Sequence, residues 1–424
     1  MKRLLRFLFC YILALIPAVY GYAQRSQPID QGNVITEIEI SGLKRTKLPV
    51  AEKPLRKFLG REGDGLDVDM VYAAIKDTGI LEPVSVEIQD RINRPPGKIL
   101  KVEVREKWAI FPLPVVSVSS ENMGFGGFFI DTNAFGLNDK FFLGGMTRVK
   151  DWAVKGWMAG GGYMHSPLRE WFPGWAVAAF FSRDERHDTD QKNYDLRRFN
   201  LDSIRVSMGI AYPFTDLFRG TFGFSYHEMI LRDYDSPLMS PESGARILSM
   251  GAEIGVRRTH WDGFLLSQES ASLGYTFSAG IDSPSFHALS LAGAYEKSLI
   301  PGFRINLYTG MLYDPEVPVL FESSPSSAKV NILPASFSAR HYAGASLGLE
   351  KYLFKLPLGT FSGHVSYQAV YARGSILGDT FDHGVFAALS FYLSQVAIPA
   401  FSVGAAYNAA AGYLQAAFSL GMSF

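Results

Sequence analysis

The last twelve residues of the chain, Tyr413-Leu-Gln-Ala-Ala-Phe-Ser-Leu-Gly-Met-Ser-Phe424, alternate strictly between two kinds of side chain. One face is apolar throughout and consists of Leu414, Ala416, Phe418, Leu420, Met422 and Phe424. The other face is small or polar, and neither face carries a charge. Because successive side chains of a strand point to opposite faces, the pattern predicts a strand with lipid on one side and a polar interior on the other.

The same period of two runs through the chain from Trp108 onward, in sixteen segments separated by turn residues. They are predicted at Phe111–Ser119, Gly124–Asn133, Lys140–Val149, Ala153–His165, Trp175–Arg183, Leu201–Tyr212, Arg219–Leu231, Ala245–Arg258, Phe264–Ala279, Phe286–Ser298, Phe303–Tyr313, Gly344–Phe354, Phe361–Ala372, Gly384–Leu393, Ala400–Ala409 and Tyr413–Phe424. An even number is expected for a closed antiparallel barrel with both ends in the periplasm. Pro112 and Pro114 cannot donate to a ladder, which places the first strand at an edge or a loose seam.

The connections alternate in length, as they do in outer-membrane barrels. Three odd-to-even connections are long and polar: Asp184–Asn200, Arg232–Gly244 and Asp314–Ala339. The even-to-odd connections are tight, among them His260–Gly263, Ile300–Gly302 and Pro357–Thr360. Long outer loops and short periplasmic turns therefore predict a membrane β-barrel of about sixteen antiparallel strands.

Composition excludes several classes of protein. The 424 residues carry 41 basic and 41 acidic side chains, which argues against a sequence-independent nucleic-acid binder because such proteins need a basic face. Only 19% of the residues are charged, below the roughly 25% usual for soluble proteins. The single cysteine is Cys10, so cysteine catalysis and sulfur-ligated metals are excluded.

The first 23 residues are predicted to be a secretory signal peptide. Lys2, Arg3 and Arg6 precede the apolar run Phe7–Ile16, and Gly21-Tyr22-Ala23 supplies a cleavage site before Gln24. No later apolar run is long enough for a membrane-spanning helix. The protein is therefore expected to be exported.

Residues 24–107 are predicted to form a small α/β domain ahead of the barrel, which is assigned residues 108–424. Strand-like alternation at Val34–Ile40 is followed by helical spacing at Pro49–Leu59 and by a second helix capped by Asp67 and stopped at Gly79. Two further alternating stretches, residues 84–88 and 100–104, complete a β-α-α-β-β order. The domain is either a structural spacer or a docking module whose edge strand accepts an extended peptide.

This organisation resembles the BamA/TamA/FhaC superfamily, in which periplasmic POTRA domains precede an outer-membrane barrel. In the first domain the resemblance rests on Ile38-x-Ile40-x-Gly42, on Gly65-Leu66-Asp67, on Gly79 before Val84-x-Val86, and on Leu100-x-Val102-x-Val104-x-Glu106. In the barrel, Asp131-Thr132-Asn133-Ala134-Phe135-Gly136 is similar to a family motif at the turn after the second strand. The seam strand ending in Phe418, Leu420, Met422 and Phe424 looks like the family's C-terminal recognition signal.

The family's sixth outer loop carries an Arg-Gly-aromatic motif that folds back into the lumen. Here that loop ends at Arg340-His341-Tyr342, so His341 replaces the glycine. The family arginine pairs with an acidic residue of the thirteenth strand, but that position here is Ala372. Glu350 is the candidate substitute, because a buried guanidinium without a carboxylate is costly. The alternative is that Arg340 lies in a solvated loop.

The resemblance implies an outer-membrane factor, with its POTRA-like domain in the periplasm, that inserts or exports client polypeptides. Its partners would be client outer-membrane or secreted polypeptides, the outer-membrane lipid and periplasmic accessory proteins, and not nucleic acid. The alternatives are a dedicated exporter of a single partner protein and a passive pore. A structural or adhesive barrel is a third possibility.

No enzymatic motif is present: there is no serine elbow, phosphate loop or His-Glu-x-x-His sequence. Asp184, Glu185, His187 and Asp188 lie together in the third outer loop, where charge usually serves solvation. No catalytic residue, cofactor or metal site is predicted.

Overall fold

The computed structural model describes residues 33–91, 96–118, 123–150, 153–167, 172–215, 217–235, 244–262, 265–325, 329–334, 336–374, 377–393 and 400–420. The expected signal peptide and two residues of the C-terminal signal, Met422 and Phe424, lie outside these ranges. None of the described helices is long and apolar enough to cross a membrane.

The N-terminal domain contains strand β1 (Ile35–Ser41), helix α1 (Leu48–Glu52), a 3-10 helix (Lys53–Phe58), helix α2 (Val68–Lys76) and strands β2 (Leu81–Asp90) and β3 (Lys98–Glu106). The elements follow the predicted order. The single helix predicted at Pro49–Leu59 is instead divided at Lys53, just before Pro54. A proline inside a helix lacks an N–H and crowds the preceding turn, so the backbone tightens there.

The three strands pair in the order β1-β3-β2, with β1 parallel and β2 antiparallel to β3. The helices pack on one face of this sheet around a core that includes Leu55, Phe58, Val71 and Leu100. Asp67 caps α2, since its carboxylate accepts a hydrogen bond from the N–H of Asp69 at 3.0 Å.

Sixteen strands form a second, antiparallel sheet in which each strand pairs with its neighbours in sequence. They are β4 (Ile110–Val118), β5 (Met123–Ala134), β6 (Asp139–Lys150), β7 (Ala153–His165), β8 (Gly174–Thr189), β9 (Asp195–Pro213), β10 (Phe218–Asp235), β11 (Gly244–Asp262), β12 (Leu265–Gly280), β13 (Phe286–Ile300), β14 (Phe303–Tyr313), β15 (His341–Leu356), β16 (Gly359–Gly374), β17 (Gly378–Leu393), β18 (Ala400–Asn408) and β19 (Tyr413–Leu420).

The two faces of this sheet differ as the alternation predicts. The outer face exposes large apolar side chains; on the last strands these are Leu347, Leu349, Val365, Tyr367, Val385, Leu389, Val403, Tyr407 and Leu414. On the inner face the same strands carry buried, small or polar residues, such as Ser346, Ser366, Ser390 and Ser402. An exposed apolar belt around a polar interior is the arrangement of a membrane-embedded sheet.

The structure corrects the prediction of a long, polar third loop at Asp184–Asn200. Strand β8 continues to Thr189 and β9 begins at Asp195, which leaves only a tight turn between them. The predicted strands ended too early because they were stopped at the first charged residues. Those residues mark the end of the apolar belt, but the backbone pairing between the two strands continues beyond it. Cross-strand ion pairs such as Arg198 with Glu185, at 3.3 Å, stabilise the extension.

The sheet curls strongly. The connection between β14 and β15 contacts β8 through Ser336 and contacts β19 through Leu333. In a flat sheet these strands, eleven positions apart in the order, would lie about 50 Å from each other. Residues 333 and 336 can span at most about 11 Å. The inner face must therefore curve around this connection.

Candidate functional site

Residues 314–340, which we call the inward loop, fold back onto the inner face of the curled sheet. The buried apolar side chains of the loop include Val330, Ile332, Leu333 and Phe337. They pack against inner-face residues of β15 to β18, namely Tyr342, Val370, Ala372, Phe386 and Ala406. A solvated loop would not bury these side chains, so the loop is part of the interior packing.

Glu322 is the electrostatic centre of the loop. Its Oε1 accepts a hydrogen bond from Arg340 Nε at 3.1 Å, and its Oε2 lies 3.3 Å from Arg197 Nη2 on β9. The side chains of Glu322 and Arg197 are almost fully buried. One carboxylate therefore joins the two ends of the loop and fixes both to the opposite wall of the sheet.

Asp188 on β8 extends this cluster. It pairs with Arg197, and its Oδ1 accepts hydrogen bonds from Arg186 Nε and from the Ser338 hydroxyl, both at 2.9 Å. Arg186 also donates to the backbone oxygen of Leu320 at 2.6 Å. Each buried charge thus has partners of opposite sign or hydrogen-bonding groups, which a buried charge requires.

The other side of the loop is held by neutral polar groups. The Asn331 N–H donates to Gln368 Oε1 on β16 at 2.7 Å, and Gln415 on β19 donates to the Leu333 oxygen at 2.7 Å. Gln415 lies on the polar face predicted for the last strand. The loop therefore contacts both the first half of the sheet and its final strand.

The Arg-x-aromatic motif has a defined position. The Arg340 N–H donates to the Arg373 oxygen at 2.8 Å, and Tyr342 is buried against the loop. His341, in place of the family glycine, accepts a hydrogen bond from the Asp314 N–H through Nδ1 at 3.2 Å and stacks on Tyr313. The motif residues thus hold the junction between the inward loop and β15.

The suggestion that Glu350 is the partner of Arg340 is wrong. Glu350 instead pairs with Arg304 on β14, and its Oε1 accepts from Tyr392 at 2.6 Å. Arg304 also donates to Glu296 on β13 at 2.8 Å. The register explains this, because Arg304 lies directly opposite Glu350 across β14 and β15. The acidic partner of Arg340 comes from the loop itself.

The family-like motif at the end of β5 and in the following turn packs against the N-terminal domain. Arg45 forms a two-pronged ion pair with Asp131, with Nη1 3.0 Å from Oδ1. Asn133 donates through Nδ2 to the Thr46 hydroxyl at 2.9 Å, and the Lys47 N–H donates to the Gly136 oxygen at 2.9 Å. We call this set of contacts, between residues 44–47 and residues 131–136, the domain clamp.

Glycine is required at two positions in and beside the clamp. Gly136 has φ of +72°, and a Cβ there would lie 2.2 Å from the Arg45 oxygen. Gly42, with φ of +89°, lies so close to β3 that a Cβ would meet the Val104 oxygen at 1.9 Å. Both the left-handed backbone and the close approach exclude larger residues.

Glu106, at the end of β3, organises the clamp from within the N-terminal domain. Its Oε1 accepts hydrogen bonds from three successive N–H groups, of Lys44, Arg45 and Thr46, at 2.9, 2.9 and 2.7 Å. Burial acts to raise the pKa of this carboxyl, but the three backbone donors outweigh it and hold the pKa below its ordinary value. The charged carboxylate therefore fixes the conformation of residues 44–46, from which Arg45 pairs with Asp131.

Gly79 contributes to the domain clamp indirectly, through the turn that contains Thr78. It ends the turn after α2 with φ of +73°, as the predicted helix stop requires. The preceding residue, Thr78, accepts a hydrogen bond from Asn138 Nδ2 at 3.3 Å. Asn138 is fixed in turn by Asn133, whose Oδ1 accepts its N–H at 2.8 Å.

The two ends of the large sheet are β4 and β19, and among the described residues no backbone pairing joins them. Pro112 and Pro114 lie in β4, as an edge strand allows. Of the C-terminal signal, Leu420 and Phe418 pair along the backbone with Phe401 and Val403 of β18. The predicted seam thus lies between strands that are both at a sheet edge.

Strand alternation separates Asp188 from His187 and Glu185 among the residues considered for catalysis. Asp188 points to the inner face, whereas His187 points outward and lies 3.4 Å from Asp195 and 3.6 Å from Glu185. Throughout the part of the chain that the structure describes, no group of His, Cys, Asp or Glu is arranged to hold a metal ion.

Sequence reasoning missed four charged residues that build the site: Asp188, Arg197, Arg304 and Glu322. Arg304 could have been found, because it and Glu296 fall on the polar face of adjacent predicted strands. Glu322 carried no signal, since it lies in a loop without periodicity.

Comparison with known proteins supports this fold. No protein-family model and no curated protein sequence matches the chain. Among solved structures, CdiB from Escherichia coli has a TM-score of 0.61 at 14% identity, covering 92% of this chain and 76% of its own. CdiB from Acinetobacter baumannii has a TM-score of 0.59 at 13% identity, covering 92% and 74%. BamA from Haemophilus ducreyi lacking POTRA domains 1–3 has a TM-score of 0.50 at 12% identity, covering 91% and 84%.

The TM-scores show a shared fold, and identities this low do not show a shared activity. The alignments extend over more than nine-tenths of this chain. The predicted resemblance to the BamA/TamA/FhaC superfamily is thereby confirmed at the level of the fold: the chain has the architecture of BamA and CdiB.

Proposed function

We propose that this protein is an outer-membrane factor that inserts client polypeptides into the membrane or exports them across it. The observation that carries the proposal is the inward loop, whose buried Glu322 is held by Arg340 and Arg197 inside a sheet with the BamA and CdiB fold. A passive pore has no need of a loop held against its inner face by buried ion pairs, whereas an insertion or export factor needs a closed resting state.

The N-terminal domain, in this proposal, is a POTRA-like periplasmic module and not a spacer. Strand β1 lies at the edge of the three-stranded sheet. Residues 60–62 bond to its first residue, Ile35, and to Val34, and in the described structure no strand pairs with the outer side of the rest of β1. An exposed edge can accept an extended client segment by strand addition. The domain clamp would then transmit the position of the loaded domain to β4, because Ala109, just ahead of β4, accepts a hydrogen bond from Thr132 at 2.9 Å.

The gap between β4 and β19 is the proposed exit toward the membrane. Backbone groups at a sheet edge are unsatisfied, and in lipid this is costly, so an incoming client strand that pairs with them gains free energy. No step of this mechanism requires a nucleotide, a cofactor or a catalytic side chain.

A photoreactive amino acid at Glu39, an exposed position on β1, tests client binding directly. We expect crosslinks to newly synthesised outer-membrane or secreted polypeptides. The same amino acid at Lys57, on the exposed surface of the 3-10 helix, is the matched control. Equal crosslinking from both positions, or none from Glu39, would contradict client docking on β1.

The dedicated exporter of a single partner is the second candidate. It is favoured by the small N-terminal domain that the structure describes, whose three strands and short helices offer little surface for accessory proteins. The passive pore is the weaker alternative, since the inward loop occupies the inner face from β8 to β19. The number of polypeptides crosslinked from Glu39 separates a dedicated exporter from a general insertion factor.

A further inference from the structure

A polar cavity of about 240 Å³ lies on the inner face between β10, β14 and the inward loop. Its charged lining consists of Arg219, Arg257 and Lys329, with Glu253 as the one carboxylate among the described residues that line it. The cavity is thus predominantly cationic, unlike the balanced cluster around Glu322.

Arg219 and Arg257 are neighbours on this wall. Arg219 pairs with Gly255 across β10 and β11, which places Arg257 on the adjacent diagonal, at a Cβ separation of about 7 Å. Within the described ranges neither guanidinium contacts a carboxylate. Among the described residues, the Arg257 guanidinium donates one hydrogen bond, from Nη2 to Gln268 Oε1 at 3.3 Å. Two like charges held this close, with Glu253 on the other diagonal but no ion pair to it in the described structure, favour binding of an anion.

Lys329 reaches the cavity from the inward loop. Its backbone has φ of +57°, in the left-handed region that non-glycine residues seldom adopt. Its ammonium lies 4.2 Å from the ring centre of Tyr308, on β14. Local backbone strain of this kind is often found at ligand sites, where it aims a side chain.

We propose that this cavity binds carboxylate groups of an extended, acidic client segment, clasped by Arg219, Arg257 and Lys329. Guanidinium groups bind carboxylates through two parallel hydrogen bonds, which gives the strongest contacts available to such a site. Gln268, Ser270 and Ser272 line the same cavity and supply the neutral donors and acceptors that a peptide backbone needs. The inference rests on the proposed function, since it names the chemistry of the client.

The test uses the purified full-length protein in detergent and a fluorescent peptide that alternates glutamate with serine. We expect binding that weakens as salt rises, and no binding of the matched peptide with glutamine for glutamate. Arg219→Ser/Arg257→Ser should weaken binding by at least about tenfold, because each arginine supplies charge-assisted hydrogen bonds. Glu253→Gln should tighten it by removing a repelling carboxylate.

Arg246→Ser is the matched control, because Arg246 lies outside the cavity and pairs with Asp282 at 2.8 Å. Equal binding of the glutamine peptide, or unchanged binding in the double variant, would overturn the proposal. Binding of inorganic phosphate without binding of the peptide would also overturn it and indicate a small-anion site. A depletion phenotype in cells without peptide binding would overturn this inference and leave the proposed function standing. Peptide binding without a phenotype would support the anion site and contradict the proposed function.

Discussion

Glu322 and Arg340, eighteen residues apart in the chain, are joined at 3.1 Å across the base of the inward loop. The same carboxylate contacts Arg197 on the far wall of the sheet. The loop therefore cannot leave the interior without separating buried charges. The free energy needed to release the loop can therefore be measured.

Removal of the Glu322 carboxylate should release the loop. Glu322→Gln removes one of the carboxylates that neutralise the buried Arg197, and we expect a loss of about 2–4 kcal/mol of stability. Arg340→Glu should be at least as damaging, because it places two carboxylates together. The readouts are the unfolding temperature and protease cleavage within residues 314–340.

Glu316→Gln is the control for this loop, because Glu316 is exposed on the same segment. It should leave the unfolding temperature within the range of ordinary surface substitutions. If Arg340→Glu retains wild-type stability and activity, the inward-loop account is wrong.

The domain clamp should fail when Gly136 gains a side chain. Gly136→Ala adds left-handed strain, about 1–3 kcal/mol, and a Cβ that would lie 2.2 Å from the Arg45 oxygen. We expect the N-terminal domain to detach, with faster trypsin cleavage near residues 44–47, while the large sheet stays folded.

Gly60→Ala separates strain from contact. Gly60 also has a left-handed backbone, with φ of +79°, but a Cβ there meets nothing within 4 Å. It should not increase cleavage near residues 44–47. Equal cleavage in the two variants would show that backbone strain, and not the clamp, controls the domain.

The Arg304 cluster should behave as a unit. Arg304→Gln leaves Glu296 and Glu350 buried without their shared cation, and we expect a loss of about 3–5 kcal/mol. The triple variant Glu296→Gln/Arg304→Gln/Glu350→Gln should recover much of this loss, because it leaves no unpaired charge. Chemical unfolding followed by tryptophan fluorescence measures both. A triple variant no more stable than Arg304→Gln would contradict the charge argument.

Docking of the inward loop should weaken as pH rises toward neutrality. Burial raises the pKa of Asp314 to about 7 from 3.8, although Arg340 acts in the opposite direction. Between pH 3.8 and about 7, Asp314 is protonated in the docked loop and ionised in the released loop. The free energy that favours docking therefore decreases as pH rises through this range, and the decrease levels off above about pH 7. Protease cleavage of the loop at pH 5 and pH 8 measures this.

Asp314→Asn should abolish the part of the pH dependence that comes from this carboxyl. It keeps the side-chain shape and the backbone N–H that donates to His341 at 3.2 Å. If cleavage of the variant changes with pH as much as in the wild type, Asp314 is not the titrating group.

Much of the fold could be predicted from the sequence because a membrane-embedded strand alternates between apolar and polar or small side chains. Period-two alternation located every strand of the large sheet, and the bounds of β7 and β14 were predicted to the residue. Strand ends beyond the apolar belt were not, as β8 and β9 show, because charged residues there continue the ladder. The Glu350 error has the same origin, since pairing partners depend on register and not on local pattern.

The anchors of the loop were beyond sequence reasoning for a different reason. Arg340 predicted that a carboxylate lies nearby, but the loop contains several acidic residues without regular spacing, so the sequence did not indicate which one. Only the curl of the sheet brings Glu322 between Arg197 and Arg340. The clamp was half visible: Asp131, Asn133 and Gly136 formed a recognisable motif, whereas their partners Arg45 and Thr46 carried no signal.

Depletion of the protein, followed by quantitative proteomics of the outer membrane, tests the central claim most directly. The account predicts loss of client proteins from the membrane or from the secreted fraction, restored by the wild-type gene but not by Arg340→Glu. Loss of many unrelated barrels would identify a general insertion factor, and loss of one protein a dedicated exporter. An unchanged outer-membrane and secreted proteome would contradict the account.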